Sequence, residues 1–275
     1  MVIAGLAIGL VIKFFPRNLR SNEDALVGKY VPPGAQLPRE SSRAYILNNN
    51  VPIIMYHYIE YNRDSKDTIR ISLTITPYWF EKQILWLKEE GYTIIPLEDL
   101  VMAKNGQKQI PAKSIVLTFD DGYEDFYTDA WPVLKKYQVP ATIYVISKFL
   151  DRPNYLRTWQ LVQMATDSGR LISVGAHTRH HINLKQSSSS AILSEIADSK
   201  RDLEEIINQP VIHFAYPYGA YDSQAEEMVI SAGFLSAATT QFGQVGAKTD
   251  MFALPRIRVG NYASEELRAR LAIRK

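Results

Sequence analysis

From about residue 51 onward, short apolar runs alternate with amphipathic segments along the whole chain. Several of the apolar runs are continuous and β-branched, which is typical of parallel strands that are covered on both faces. In the amphipathic segment Pro77–Glu90, apolar residues recur at helical spacing, Thr76 is the predicted N-cap, and Gly91 is the predicted stop. The repeated strand–helix order favours a (β/α) barrel or a doubly wound sheet.

This pattern predicts eight strands and six helices. The predicted strands are Ile53–Tyr58, Tyr92–Ile95, Ser114–Phe119, Ala141–Ile146, Leu171–Ala176, Val211–Tyr216, Phe234–Ala238 and Arg256–Val259. The predicted helices are Pro77–Glu90, Asp125–Tyr137, Thr158–Ser168, Ser189–Asn208, Ser223–Ala232 and Ser264–Ile273. Because the chemistry of βα barrels lies at the C-terminal ends of the strands, polar residues that follow these strands form the candidate site.

The first 50 residues have a different character. Residues 1–20 begin with the apolar run MVIAGLAIGLVIKFF, which is shorter than the about 20 residues of a full membrane span. We predict a membrane anchor or signal-like segment there, with membrane association through residues 2–15, and a start upstream of Met1 would also explain the short run. Residues 21–50 contain several Pro, Ser and Asn and are predicted to be a linker. The folded domain is predicted to span 51–275, in an extracytoplasmic, cell-surface or membrane-associated protein, with secretion as the alternative.

Composition excludes some classes of protein. The formal net charge is +2, and no basic run with interleaved aromatic residues is present, so nucleic acid is not expected as a partner. The chain has no cysteine, so it forms no disulfide, and any metal site has to be built from histidine and carboxylate.

Two adjacent acids, Asp120 and Asp121, follow the apolar run of SIVLTFDDGYED. Consecutive residues of an extended chain point in opposite directions, so one acid can bind a cation while the other remains free as a base. The alternative is a plain strand-to-loop turn, since Asp-Gly is common turn chemistry. Taken alone, this segment does not decide between the two interpretations.

Three of the five histidines lie within five positions in SVGAHTRHH. His177 and His181 are spaced i, i+4, and a helical turn would bring both imidazoles onto one face. Two histidines and one carboxylate leave open positions on a metal, which is typical of a catalytic site. His180 would point elsewhere on such a turn, as a surface or supporting residue. A lone His-x-x-x-His pair is weak evidence, but it is strengthened by the two acids at another strand end.

These segments resemble the motifs of the polysaccharide deacetylases with a NodB-type domain, also called carbohydrate esterase family 4. Thr118–Gly122 (TFDDG) resembles the first motif, His177–His181 (HTRHH) the second, and Phe214–Gly219 (FAYPYG) the third. The resemblance covers roughly residues 50 to 260. It implies an α/β protein with a distorted (β/α) barrel of seven or eight strands, and a deacetylase catalytic domain at 51–275.

The resemblance also implies roles for individual residues. Asp120 is expected to be the general base, and one divalent metal ion is expected on Asp121, His177 and His181. Zinc is the expected metal, with cobalt, nickel and iron as alternatives, because a His₂Asp site accepts all of them. The backbone N–H of Tyr218 is expected to bind the oxyanion. Trp159 is expected to line the substrate groove, with a place in the core as the alternative.

Two residues of the family pattern are missing from this sequence, and other residues are expected to take their roles. The third motif has no arginine near its start, and the late Leu-x-Leu-x-His motif that supplies the catalytic acid is absent after Phe234. The opening VPIIMYHY resembles the subgroup that deacetylates poly-β-1,6-N-acetylglucosamine and carries its acid on the first strand. We therefore expect His57, protonated, to be the acid. Arg256, at a predicted strand start, is expected to replace the missing arginine as the partner of Asp120, while His213 is expected to be structural.

The predicted function is metal-dependent hydrolysis of acetamide groups on an N-acetylglucosamine polysaccharide, with poly-β-1,6-N-acetyl-D-glucosamine as the favoured polymer and a monomer as the expected state. Alternatives within the enzymes are chitin-type oligosaccharides, peptidoglycan and acetylated xylan as substrates. A non-catalytic carbohydrate-binding relic of the same fold is a different class. A metallophosphoesterase would need a two-metal cluster with more ligands than the sequence offers.

Overall fold

The computed structural model describes residues 49–62, 66–167, 169, 171–261 and 264–272. The predicted anchor of residues 1–20 and the predicted linker, except for its last two residues, therefore lie outside the described residues. Within the described part, no helix is both long enough and apolar enough to cross a membrane.

Ten strands among the described residues form the framework, and seven of them close into a barrel. The strands are β1 (Ile53–Tyr56), β2 (Tyr58–Ile59), β3 (Thr74–Ile75), β4 (Thr93–Ile94), β5 (Ser114–Phe119), β6 (Ala141–Val145), β7 (Ile172–Ala176), β8 (His213–Ala215), β9 (Ser236–Phe242) and β10 (Leu254–Arg258). Their order around the ring is β1-β10-β9-β8-β7-β6-β5, and the pairing of β1 with β5 closes it. Strand β4 pairs with the start of β5 as an eighth strand, and β2 pairs with β3 separately. All these named pairings are parallel, which confirms the predicted barrel.

Helices surround the ring and connect its strands. They are α1 (Thr68–Leu73), α2 (Pro77–Glu89), α3 (Leu97–Lys104), α4 (Trp131–Tyr137), α5 (Thr158–Asp167), α6 (Ser189–Leu193), α7 (Ser199–Ile207), α8 (Ser223–Ser231) and α9 (Ser264–Ala272). Helix α2 begins as predicted, because Thr76 Oγ1 accepts the N–H of Trp79 at 3.3 Å. Gly91 follows its end with a φ of 77°, a left-handed conformation that glycine adopts without steric cost.

Apolar side chains form two clusters, one on each side of the strands. Successive residues of a strand point to opposite faces, so alternate positions of β5 belong to different clusters. Leu117 packs outward under the helices, whereas Val116 belongs to the smaller cluster. We call this second group the interior cluster, because six strands of the ring contribute to it. Its members are Val51, Ile53, Ile95, Leu97, Leu100, Val116, Tyr144, Ala215, Ala238, Val245 and Leu254.

The predicted elements exist, but several of their boundaries differ, some of them are interrupted, and two helices were not predicted. Strand β1 ends at Tyr56 and the separate strand β2 begins at Tyr58, so His57 lies in the break between them. The predicted helix 189–208 contains a π-helical turn, Ser194–Asp198, between α6 and α7. Helices α1 and α3 were not predicted, since both are short and fall between stronger patterns. Arg256 lies in the middle of β10 and not at a strand start, because that strand already begins at Leu254.

Candidate metal centre

Three side chains from two strand ends converge on one point. Asp121 Oδ1 lies 3.4 Å from His177 Nε2 and 3.3 Å from His181 Nε2. One ligand atom from each of the three residues lies within 4.8 Å of the others, and no second group of three or more such ligands occurs among the described residues. We call these three residues the metal cluster. A single group of three ligands does not fit the two-metal cluster of a metallophosphoesterase.

The hydrogen bonds around the metal cluster leave its inner atoms free for a cation. His177 Nδ1 lies 2.7 Å from the carbonyl oxygen of Ala215, and because a carbonyl only accepts, this nitrogen carries the proton. A neutral His177 ring, the form that binds a metal ion, would therefore turn the lone pair of Nε2 toward Asp121. His181 Nδ1 contacts the Tyr218 hydroxyl at 3.2 Å, so its Nε2 faces the same carboxylate. A hydrogen-bond partner on the other ring nitrogen orients a histidine that binds a metal through Nε2. The two imidazoles and the carboxylate together fit a divalent cation such as zinc.

The backbone around these ligands is irregular. Asp121 has a φ of 75°, so the two adjacent acids are not on an extended chain. Residues His177 to His181 form a loop and not a helical turn, and the prediction of a shared helical face was wrong. Thr178 and His181 have φ values of 63° and 58°, and these left-handed conformations bring both imidazoles to the same side. The i, i+4 spacing identified the residues, but a loop provides their geometry.

Asp120 is buried beside the metal cluster, and Arg256 holds both of its oxygens. Arg256 Nη1 donates to Asp120 Oδ1 at 2.6 Å, and Nη2 donates to Oδ2 at 2.7 Å. The guanidinium also donates to Thr118 Oγ1 and to the carbonyl of Thr239, and Arg256 is fully buried. Burial alone would raise the pKa of Asp120, but the charge and hydrogen bonds of Arg256 outweigh it and lower this pKa below its usual range. Asp120 is thus ionised at neutral pH.

The carboxylate of Asp121 is held ionised in a similar way. Burial would raise its pKa, but the imidazoles of His177 and His181 lower this pKa well below the usual range. The two adjacent acids therefore have different partners, arginine for Asp120 and histidines for Asp121.

His57 lies next to Asp120. Its Nε2 lies 3.9 Å from Asp120 Oδ2, and its side chain is only 12% exposed. Burial lowers the pKa of His57, against the opposing attraction of Asp120 and Asp121. The structure thus brings together His57, which follows β1, Asp120, which follows β5, and Arg256 on β10.

The remaining predicted residues have more exposed positions. Tyr218 follows β8 with a φ of 61°, and its side chain is 63% exposed although its hydroxyl reaches His181. Trp159 is 59% exposed on α5, so it is not a core residue, and its ring packs edge-on against Tyr127 at a centroid distance of 5.3 Å. Its place along a substrate groove stays a prediction.

Two contacts near the site were not foreseen. Thr118 orients Arg256, and Glu195 on the π-helical turn pairs with His180 Nδ1 at 2.6 Å. Thr118 lies within the first motif, but nothing in the motif indicates a contact with a strand 138 positions away. His213 lies at the start of β8, where its Nδ1 contacts Ser236 Oγ at 2.9 Å, away from the metal cluster.

A parallel barrel with a buried His₂Asp cluster beside a second, arginine-bound carboxylate defines the class of metal-assisted hydrolases. Comparison with known proteins narrows this class. Residues 107–237 match the family model described as polysaccharide deacetylase. YxkH of Bacillus subtilis, whose name assigns it to the polysaccharide deacetylases, is 34% identical over 210 residues, which cover 76% of this chain and 71% of that protein. The chain belongs to the polysaccharide deacetylase family, and it is a hydrolase that acts on amide bonds of acetylated polysaccharides.

Two further similarities extend over most of the described barrel. The poly-β-1,6-N-acetyl-D-glucosamine N-deacetylase of Staphylococcus epidermidis is 28% identical over 254 residues, which cover 85% of this chain and 87% of that protein. The structure of the Streptococcus pyogenes deacetylase PplD, determined in complex with acetate, superimposes with a TM-score of 0.75 at 31% identity. That superposition covers 82% of this chain and 99% of the other.

Proposed function

We propose that this protein removes acetyl groups from poly-β-1,6-N-acetyl-D-glucosamine, a biofilm exopolysaccharide, as a monomer at an extracytoplasmic, membrane-associated location. The observation that carries the chemistry is the position of an ionised carboxylate, Asp120, beside the metal cluster, with His57 within 3.9 Å. The choice of polymer is supported by the staphylococcal relative of that name and by the position of His57 after the first strand.

Asp121, His177 and His181 would hold the metal ion, for which zinc is the expected species. When bound, the cation supplies polarisation of the acetyl carbonyl and lowers the pKa of a bound water toward neutrality. The protein keeps the cluster ready for this, because the Nδ1 atoms of both histidines are engaged by Ala215 and Tyr218.

Asp120 acts as the general base and takes a proton from the attacking water. Its two oxygens are fixed by Arg256, yet each oxygen keeps a second lone pair that can accept the proton. Arg256 thus takes over the task of the arginine that the third motif lacks, which is to orient the base.

His57 acts as the acid for the leaving amine. The pKa of His57 is lowered by burial, so the proton that it delivers has to reach the ring during the reaction. Asp120 Oδ2 lies 3.9 Å from Nε2, so a shift of the His57 ring by about 1 Å would bring it within hydrogen-bond reach of the proton that Asp120 takes from water. The hydroxyl of that water remains on the acetyl carbon, and its other proton leaves on the glucosamine nitrogen, so acetic acid and a free amine are formed.

Two residues contribute to binding. The backbone N–H of Tyr218 stabilises the oxyanion, and one such donor is typically worth about 3 kcal/mol in the transition state. The exposed ring of Trp159 offers an apolar face to a sugar of the polymer.

Acetate release from β-1,6-linked and β-1,4-linked N-acetylglucosamine oligomers tests the proposal. We expect turnover of the β-1,6 oligomers, complete loss with a chelator, and recovery on adding Zn²⁺. Faster turnover of the β-1,4 oligomers would contradict the choice of polymer. Binding of either oligomer without any acetate release would contradict catalysis altogether and leave the carbohydrate-binding alternative.

A further inference from the structure

The loop that carries His181 has a backbone conformation that its own residues do not favour. Thr178 and His181 both have left-handed φ values, which are disfavoured for L-residues and most strongly for a β-branched residue such as threonine. Within the loop, the Thr178 hydroxyl accepts the N–H of His181 at 2.9 Å. Contacts from outside the loop are needed to hold the remaining backbone groups in place.

Glu195 supplies such contacts. Its Oε2 accepts the backbone N–H groups of Arg179 and of His180, each at 2.8 Å, and its Oε1 lies 2.6 Å from His180 Nδ1. Successive backbone N–H groups that converge on one anion form a binding concavity, and here the anion is a side chain of the same protein. Glu195 is only 8% exposed, so solvent screens these interactions little.

The position of Glu195 on its helix is itself irregular. It lies in the π-helical turn Ser194–Asp198, which interrupts the helical stretch formed by α6 and α7. A π-helical turn changes the direction of the side chains that it carries, and such turns are frequent at functional sites. The turn here directs the Glu195 carboxylate at the loop amides.

The other external contacts of the loop hold different groups. The N–H of Ser147 donates to the carbonyl of Thr178 at 3.2 Å, and the N–H of Lys148 donates to the carbonyl of Arg179 at 3.1 Å. The Arg179 side chain pairs with Asp198 and Asp202. These contacts hold carbonyls and a side chain of the loop, whereas Glu195 accepts from the loop amides. A substitution of Glu195 therefore weakens the amide contacts and leaves the other contacts of the loop in place.

We propose that Glu195 is a positioning residue that holds the loop so that His181 Nε2 faces Asp121, and that it thereby sets the affinity of the metal cluster for its ion. This inference rests on the metal site of the proposed function. Glu195 touches neither substrate nor metal. Without its negative charge the loop amides keep only a weaker, neutral acceptor, so the loop relaxes from its left-handed conformation and His181 moves away from Asp121.

The test replaces Glu195 by glutamine, which keeps the size of the side chain and removes its charge. Glu205→Gln is the matched control, because Glu205 is on the adjoining helix α7 with a side chain that is 72% exposed. Competition with a chelator measures the dissociation constant for Zn²⁺. We expect Glu195→Gln to bind Zn²⁺ about 10- to 100-fold more weakly, as for other residues that orient metal ligands, and Glu205→Gln to match the wild type. A Glu195→Gln affinity within twofold of the wild type would overturn the proposal.

Hydrogen exchange gives a second measurement that needs no metal. In the metal-free protein, the amides of Arg179 and His180 should exchange at least about tenfold faster in Glu195→Gln than in the wild type, while amides of β7 remain protected. Unchanged protection at these two amides would contradict the proposed contact. If Glu195→Gln does not fold, Glu195→Asp keeps the charge and shortens its reach. In that variant, weakened Zn²⁺ binding supports the proposal and wild-type binding refutes it.

The outcomes for the two proposals are distinguishable. A wild-type protein that binds no Zn²⁺ would overturn the metal-dependent function. Wild-type binding together with an unchanged Glu195→Gln would overturn only the role of Glu195. If Glu195 acts only through the affinity for the metal ion, an excess of metal should compensate for its loss. Saturating Zn²⁺ should therefore restore the turnover number of Glu195→Gln to within about threefold of the wild type. A variant that stays inactive at saturating metal would contradict positioning through metal affinity.

Discussion

The mouth of the barrel and its interior cluster use the same strands for opposite purposes. The mouth is the end of the barrel that carries His57, Asp120 and Arg256. On β5, Val116 belongs to the apolar interior cluster and Thr118 accepts from Arg256, and directly after the strand Asp120 binds the same guanidinium. On β10, Leu254 is in the interior cluster and Arg256 follows two residues later. Two residues along a strand span about 7 Å, so the surroundings change from apolar to ionic within that distance.

Because of this difference, the interior cluster contributes to the free energy of unfolding, whereas the residues at the mouth also take part in the reaction. The interior cluster is held by burial of apolar surface, and truncation there costs free energy of unfolding without touching a reacting atom. The charged groups at the mouth are paired and buried, so removing one partner affects both the chemistry and the remaining partner. Substitutions in the two regions should therefore have different signatures.

The largest effect is expected for Asp120→Asn at the mouth. An amide cannot accept the proton of water, so the turnover number should fall about a thousandfold at saturating metal. The buried guanidinium of Arg256 also loses its carboxylate, and the free energy of unfolding should decrease by about 3 kcal/mol. Acetate release and urea unfolding measure the two quantities, with the exposed Asp167→Asn as control. A turnover number within tenfold of the wild type would exclude Asp120 as the base.

The next effect concerns His57→Ala, which tests whether the mouth contains a separate acid. An amine leaves only when protonated, whereas an aryl oxide leaves without help. Turnover of N-acetylglucosamine oligomers should therefore fall about a hundredfold, and turnover of an aryl acetate should fall less than tenfold. Both rates are measured on the same enzyme sample. Equal losses on the two substrates would refute the acid role.

A smaller effect is expected for His213, a histidine that lies away from the mouth. Burial lowers the pKa of His213 to about 3, below the usual value of about 6.5 that applies to the unfolded chain. Between these values the unfolded state binds the proton and the folded state does not, so stability is present above pH 6.5 and is lost as the pH falls toward 3.

From pH 7 to pH 5, this histidine should decrease the free energy of unfolding by about 2 kcal/mol. The non-titrating variant His213→Gln should lose that much less than the wild type. Urea unfolding of both proteins in chelator, at the two pH values, measures the difference. Identical pH dependence in the two proteins would show that His213 is not buried in its neutral form.

The smallest effect is expected for Ile53→Val in the interior cluster. Loss of one buried methylene group should lower the free energy of unfolding by about 1 kcal/mol. The turnover number should stay within twofold of the wild type, because the side chain is in the apolar part of the barrel. A large loss of activity without a loss of stability would mean that the two regions are coupled.

The sequence predicted which three residues converge in the metal cluster, but not the backbone conformation that brings them together. His177 and His181 were identified by spacing, which is the same in a helix and in this loop, and only the φ values of Thr178 and His181 distinguish the two. Glu195 had no local signal, because it lies within a predicted helix and its partners are backbone amides of another segment. Local patterns report on neighbours along the chain, and these contacts join distant segments.

Alternating strands and helices, the three motifs and the identity of the charged residues were determined by the sequence alone, since periodicity and motif spacing are local properties. The meeting of Arg256 with Asp120, 136 positions away, was decided only by the tertiary structure. The two residues meet because β10 and β5 both pair with β1 when the ring closes. That closure depends on backbone hydrogen bonds between distant strands, and it turns separate acids, histidines and an arginine into one site.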